Sequence, residues 1–106
     1  MKKQVLLLAS VFFLFAGLGC YKKVAIPVAD FSFHGSNDTI VPDTLTFRNL
    51  SQNASTYEWD FGDSHSSTDA NPVHIYTVAG SYTVGLKAYS SSREQWAAKS
   101  SKIIIE

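Results

Sequence analysis

The stretch YEWDFGDSHSSTDANPVHIY, Tyr57 to Tyr76, decides how this chain is read. Tyr57, Trp59 and Phe61 alternate with polar residues, the period of a strand with one buried face. Gly62 to Ser67 has the composition of a turn. Asn71-Pro72 then opens a second short strand, Val73 to Tyr76. The same stretch holds Asp60, Asp63, Asp69, His65 and His74. Either these side chains do chemistry, or they hold a fold together.

Working outward, period two continues on both sides. Ala29, Phe31 and Phe33 alternate with Asp30, Ser32 and His34. Gly35 to Asp38 reads as a turn, and Leu45 and Phe47 share the next inward face. After the turn at Ala79-Gly80, Tyr82, Val84, Leu86 and Ala88 point one way and Thr83, Gly85, Lys87 and Tyr89 the other. Trp96 to Ile105 is the last strand, with Ile103 and Ile105 inward. No window after Gly19 has helical spacing. Short strands separated by turn signals predict an all-β fold, an immunoglobulin-like antiparallel β-sandwich of about seven strands. Trp59 is the natural large residue of its core.

Enzyme readings of the opening stretch do not assemble. Asp60-Phe61-Gly62 spells the kinase DFG motif, but the glycine-rich loop and the HRD element are absent. Asp63, Ser64 and His65 are sequence neighbours, an arrangement unsuited to triad geometry, and no Gly-x-Ser-x-Gly elbow exists. Asp60 and Asp63 would be a glycosidase pair only beside a sugar-sized cleft. His65 and His74 are nine positions apart with a proline between them and no supporting cysteine, which is not a zinc pattern. His74 reads as a structural histidine and His65 as a wet loop residue. Asp60, Asp63 and Asp69 are hard oxygen donors near a turn, the donor type of calcium, although EF-hand spacing is missing. The expectation is no catalytic residue and no cofactor, with calcium on these three aspartates as the alternative.

The N-terminus is a separate unit. Met1-Lys2-Lys3 is positive, and Val5 to Gly19 is uncharged and almost wholly apolar. It is shorter than the roughly 20 residues of a membrane span, which favours a signal peptide over residues 1–19; a short transmembrane anchor is the other reading. Cys20 is the only cysteine, so it has no partner for an internal disulfide. Ala16 to Cys20 resembles the lipobox of bacterial lipoproteins, with Gly19 fitting and Gly17 replacing the usual aliphatic residue. That resemblance implies acylation of Cys20, which would give stable attachment, and a tether over residues 20–27. Tyr21 stands where many lipoproteins kept in an inner membrane have aspartate. The expected place is therefore the bacterial cell envelope, at an outer membrane or cell surface. Without Lys2 and Lys3, seven of the nine basic residues face nine acidic ones. No basic stripe exists to neutralise phosphates, so nucleic acid is not an expected partner.

Three spaced motifs carry a wider resemblance. Trp59-Asp60-Phe61-Gly62-Asp63, then Asn71-Pro72-Val73-His74-Ile75-Tyr76, then Gly80-Ser81-Tyr82-Thr83-Val84 resemble the PKD domain, an immunoglobulin-like module, over residues 28–106. The resemblance implies that Trp59, Asp60, Phe61, Gly62, Asp63, Pro72, His74, Tyr76, Gly80 and Tyr82 are a folding signature, and it implies no catalytic residue. This chain departs from the family at Ser64, where glycine is usual. The function that follows is a membrane-anchored, non-enzymatic interaction or scaffolding module with an extracytoplasmic protein partner, which extends to docking a separate hydrolase. The alternative is a surface polysaccharide-binding module using Tyr89 and Trp96, which requires Trp96 to be exposed.

Overall fold

The computed structural model describes residues 25–35 and 40–106. The signal segment, Cys20, most of the tether and the turn at 36–38 lie outside them. Seven strands follow in chain order: β1 (Phe31–Gly35), β2 (Asp43–Asn49), β3 (Thr56–Asp60), β4 (Ser66–Ser67), β5 (Val73–Tyr76), β6 (Gly80–Tyr89) and β7 (Trp96–Ile105). They form a three-stranded sheet, β1-β2-β5, and a four-stranded sheet, β4-β3-β6-β7. All pairings are antiparallel.

The alternating apolar positions meet between the sheets. Phe31, Leu45, Phe47 and Tyr76 come from one sheet, and Trp59, Val84, Leu86, Ile103 and Ile105 from the other, with Phe61 just past β3; all are buried. Trp59 crosses the gap to Phe31 at 5.1 Å and to Phe47 at 5.4 Å between ring centroids. A large side chain buried in this way contributes about 1.5–3 kcal/mol, so the aromatic cluster carries a domain that the described residues stabilise by packing.

Three sequence expectations shift. Alternation puts Phe33 on the inward face with Phe31, yet it is 38 % exposed. It does lie against Phe47, at 5.9 Å, but β1 is the edge of its sheet and leaves one side of the ring uncovered. Gly62 to Ser67 is also more than a turn. The chain reverses within Gly62–His65, where the Phe61 N–H donates to the His65 carbonyl at 3.0 Å. Ser66 and Ser67 then pair with Asp60 and Trp59. Pro27, on the tether side of the boundary drawn from sequence, is buried. Beside it the Asn53 amide donates to the Ile26 carbonyl at 3.2 Å.

Candidate functional site

Two regions gather the chemistry-bearing side chains. The first is the end of the sandwich where the β3–β4 reversal meets β5. Asp60 Oδ1 accepts from the Gly62 N–H at 2.9 Å, and Asp63 Oδ1 from the His65 N–H at 3.3 Å. Asp63 Oδ2 lies 2.7 Å from His74 Nε2 on β5. This pair joins the two sheets. The His74 ring lies flat on Phe61, at 4.2 Å and 6°, with the edge of Tyr76 at 4.6 Å. The Tyr76 hydroxyl donates to the Phe61 carbonyl at 2.7 Å, and the Trp59 indole to the Asp69 carbonyl at 2.9 Å. Pro72, buried, offers its carbonyl to the Phe47 N–H at 3.0 Å. Gly80 opens β6 opposite Ile105, and the Tyr82 hydroxyl donates to the Val78 carbonyl.

Backbone geometry explains Gly62. Its φ is +82°, and a Cβ there would stand 2.6 Å from the Thr83 carbonyl oxygen. Ser64 also has positive φ, 74°, which a residue with a Cβ adopts at a cost. The chain thus keeps the left-handed turn of the family pattern without its glycine.

Charge follows the geometry. Burial pushes the Asp63 carboxyl up. The hydrogen bond and charge of His74, the His65 N–H and the His65 charge together outweigh it, so the carboxyl lies below its ordinary value. Burial, helped by the Asp63 charge, pushes the Tyr76 phenol well up. Neither Asp60 nor Asp69 joins Asp63 in a shared ligand set. Asp60 accepts from the Gly62 N–H, while the Asp69 carbonyl accepts from the Trp59 indole and the Asp69 N–H donates to the Ser67 hydroxyl oxygen at 3.0 Å. The donors that do converge, within 4.8 Å of one another, belong to Asp63, His65 and His74. Sequence spacing hid this trio, because the hairpin that returns His65 towards β5 is not written in the distance between two histidines.

The second region is the outer face of the four-stranded sheet. Cross-strand rows run Thr56–Tyr89–Trp96, Glu58–Lys87–Ala98 and Asp60–Gly85–Ser100. The last two rows floor an open groove of about 650 Å³, where Gly85, Ala98 and Ser100 leave room between Glu58, Asp60 and Lys87. A Cβ at Gly85 would meet nothing within 4 Å. Trp96 lies outside the lining, one cross-strand row beyond Lys87 and Ala98; it is 55 % exposed, with the Lys87 ammonium 5.1 Å from its ring centroid. Tyr89 is more constrained. Its hydroxyl donates to Glu58 Oε1 at 3.1 Å and the Arg93 guanidinium lies 4.0 Å over its ring. Partial burial, then the Glu58 hydrogen bond, raises its phenol above the ordinary value. Arg93 is itself held by Glu58 at 3.2 Å and by the Thr56 hydroxyl at 2.9 Å.

The fold, the signature turn and the sequence motifs agree with known proteins. The PKD domain family matches residues 24–105, and the chain belongs to that family. It is similar to Collagenase ColQ1 of Bacillus cereus (strain Q1), 58 % identical over 31 residues, which are 29 % of this chain and 3 % of the collagenase. The PKD1 domain of the Vibrio cholerae metalloprotease PrtV superposes with a TM-score of 0.63 at 29 % identity, over 77 % of this chain and 99 % of that one. A structure of carbohydrate-binding modules of the β-sandwich superfamily has a TM-score of 0.67 at 22 % identity, over 78 % of this chain and 35 % of that one. At that identity the likeness is one of fold. In the collagenase and the metalloprotease the module is one part of a larger enzyme.

Proposed function

We propose that this chain is a non-enzymatic PKD module, anchored through an acylated Cys20 at the bacterial cell envelope, that holds an extracytoplasmic protein partner on the outer face of its four-stranded sheet. One observation carries the choice of surface: Trp96 stands half-exposed one cross-strand row beyond an open groove, with the groove-lining Lys87 over its ring. Tryptophan, tyrosine and arginine are the commonest energetic anchors of protein interfaces, and Trp96, Tyr89 and Arg93 lie together on this face. The groove floor is made of small residues and its walls carry both signs of charge, which suits an extended polypeptide.

The second reading is a polysaccharide, favoured by the Tyr89–Trp96 row on adjacent strands. A stacking sugar needs open ring faces, however. Arg93 already covers one face of Tyr89, and Lys87 lies over Trp96. These cations favour the polypeptide reading over the sugar one.

The test uses the intact, anchored protein with a photo-crosslinking residue at position 98 in the groove, and separately at position 75 on the other sheet. The expected result is a discrete protein adduct from position 98 only, lost with Trp96→Ala. Retardation in polysaccharide gels, abolished by Trp96→Ala and without a protein adduct, would replace this reading with the sugar one. Adducts equal at both positions would sink the choice of surface. Anchoring is checked by fatty-acid labelling, which Cys20→Ser must abolish.

A further inference from the structure

At the opposite end from Trp96, the β3–β4 reversal brings three metal-competent side chains together. We propose that Asp63, His65 and His74 form a binding site for a divalent transition-type cation, zinc foremost, that ties the two sheets together. This is independent of the outer-face reading.

The donor set selects the metal. Two imidazoles and one carboxylate are borderline ligands that suit zinc, whereas calcium takes oxygen donors in larger number. Two donors held about 2.0–2.1 Å from a tetrahedral ion stand about 3.3 Å apart. His65 Nδ1 and Asp63 Oδ1 are 3.4 Å apart. His74 Nε2 and Asp63 Oδ2 are closer, at 2.7 Å, because a hydrogen bond joins them. The two close approaches use different oxygens of Asp63, and one ligand atom from each residue lies within 4.8 Å of the others, so the exposed His65 would close the remaining distance on binding. A metal would displace the shared proton and open that pair by roughly 0.6 Å.

The frame around the trio favours coordination. His74 cannot swing away, since Phe61 lies along its face and Tyr76 meets its edge. Its side chain is 13 % exposed and that of Asp63 is 18 % exposed, so two ligands are fixed in a half-dry recess. His65, 70 % exposed, is the adjustable ligand and leaves a coordination position open to water. The turn through Ser64 leaves the His65 ring 5.5 Å from that of His74, centroid to centroid. Asp63 and His65 sit in the β3–β4 loop of one sheet and His74 on β5 of the other, so a bound ion would clamp the sandwich across its gap.

The test uses residues 24–106, without tags. The isolated PKD1 domain that this chain covers to 99 % indicates that a module of this extent folds alone, and Cys20 is then absent as a competing ligand. About 100 µM zinc should raise Tm by about 5 °C, and calcium at the same concentration should not. Cobalt(II) should give the visible d–d absorption of a low-coordinate site. His65→Ala and His65→Gln should leave the metal-free Tm unchanged and remove both responses. No zinc shift in the wild type, an equal shift in the two His65 variants, or an equal response to calcium would each overturn the proposal.

Discussion

The two ends of this small sandwich treat their polar side chains in opposite ways. At the β3–β4 reversal they turn to the fold: Asp60 to the Gly62 N–H, Asp63 to His74, and the Tyr76 hydroxyl to the Phe61 carbonyl. On the outer face of the four-stranded sheet Trp96 is half-exposed with the Lys87 ammonium over its ring, and Glu58, Tyr89 and Arg93 pair with one another at the surface rather than with the backbone of the fold. The first region should therefore respond to mutation with a loss of stability, and the second with a loss of binding alone.

Gly62→Ala should be the most damaging. It places a Cβ 2.6 Å from the Thr83 carbonyl oxygen at a φ of +82°. Left-handed strain and overpacking together should cost about 3 kcal/mol. Urea unfolding checks this through the midpoint. A shift below a third of that would mean the turn relaxes and is not the rigid element described.

His74→Ala should follow, at about 2 kcal/mol, because it strips the partner from a mostly buried carboxylate and removes a ring stacked on Phe61. The same pair sets a pH dependence. The folded Asp63 carboxyl lies below its ordinary value, so its contribution is fully present above the unfolded value of about 3.9. It disappears as pH falls through the folded value. Asp63→Asn should thus flatten the fall in stability below about pH 4. Parallel wild-type and variant curves across that range would show that the fall comes from other carboxylates.

Ser64→Gly should act in the opposite direction. Glycine adopts positive φ without the Cβ penalty, and after its own entropy cost the gain should be about 0.5–1 kcal/mol. It also separates the fold from the metal proposal: the variant should be more stable without metal, yet lose nothing of the His65 ligand. A destabilised Ser64→Gly variant would mean that the serine side chain contributes something the geometry does not reveal.

The division also explains what could be read from residues alone. The main strands and the core followed from alternation, because Trp59, Val84, Leu86, Ile103 and Ile105 each sit at every second position of a strand; the order of strands in the sheets did not. Phe33 escaped because alternation gives a face, not the distance from a sheet edge. The short β4 escaped because two serines carry no strand signal; their pairing follows from the left-handed backbone at Gly62 and Ser64. The Asp63–His65–His74 trio escaped for the same reason. The Tyr89–Trp96 row was partly visible as outward positions flanking one loop. The groove beside it was not, since it depends on Gly85, Ala98 and Ser100 standing in register on neighbouring strands.

The smallest expected stability effect carries the most functional weight. Trp96→Ala removes an exposed ring that contributes no buried core surface, so stability should change by no more than about 0.5 kcal/mol. The crosslink from position 98 should nonetheless disappear. Lys87→Ala is the control that separates the ring from its cation. If the ring is the anchor, Lys87→Ala weakens the adduct without abolishing it, because the indole stays in place with one face newly uncovered. If the positive charge is the anchor, Lys87→Ala abolishes the adduct and Trp96→Phe leaves it intact. A large loss of stability in Trp96→Ala would erase the contrast between the two ends. The outer face would then belong to the folding machinery as well, and the search for a partner surface would move to the exposed Val73 and Ile75 of β5.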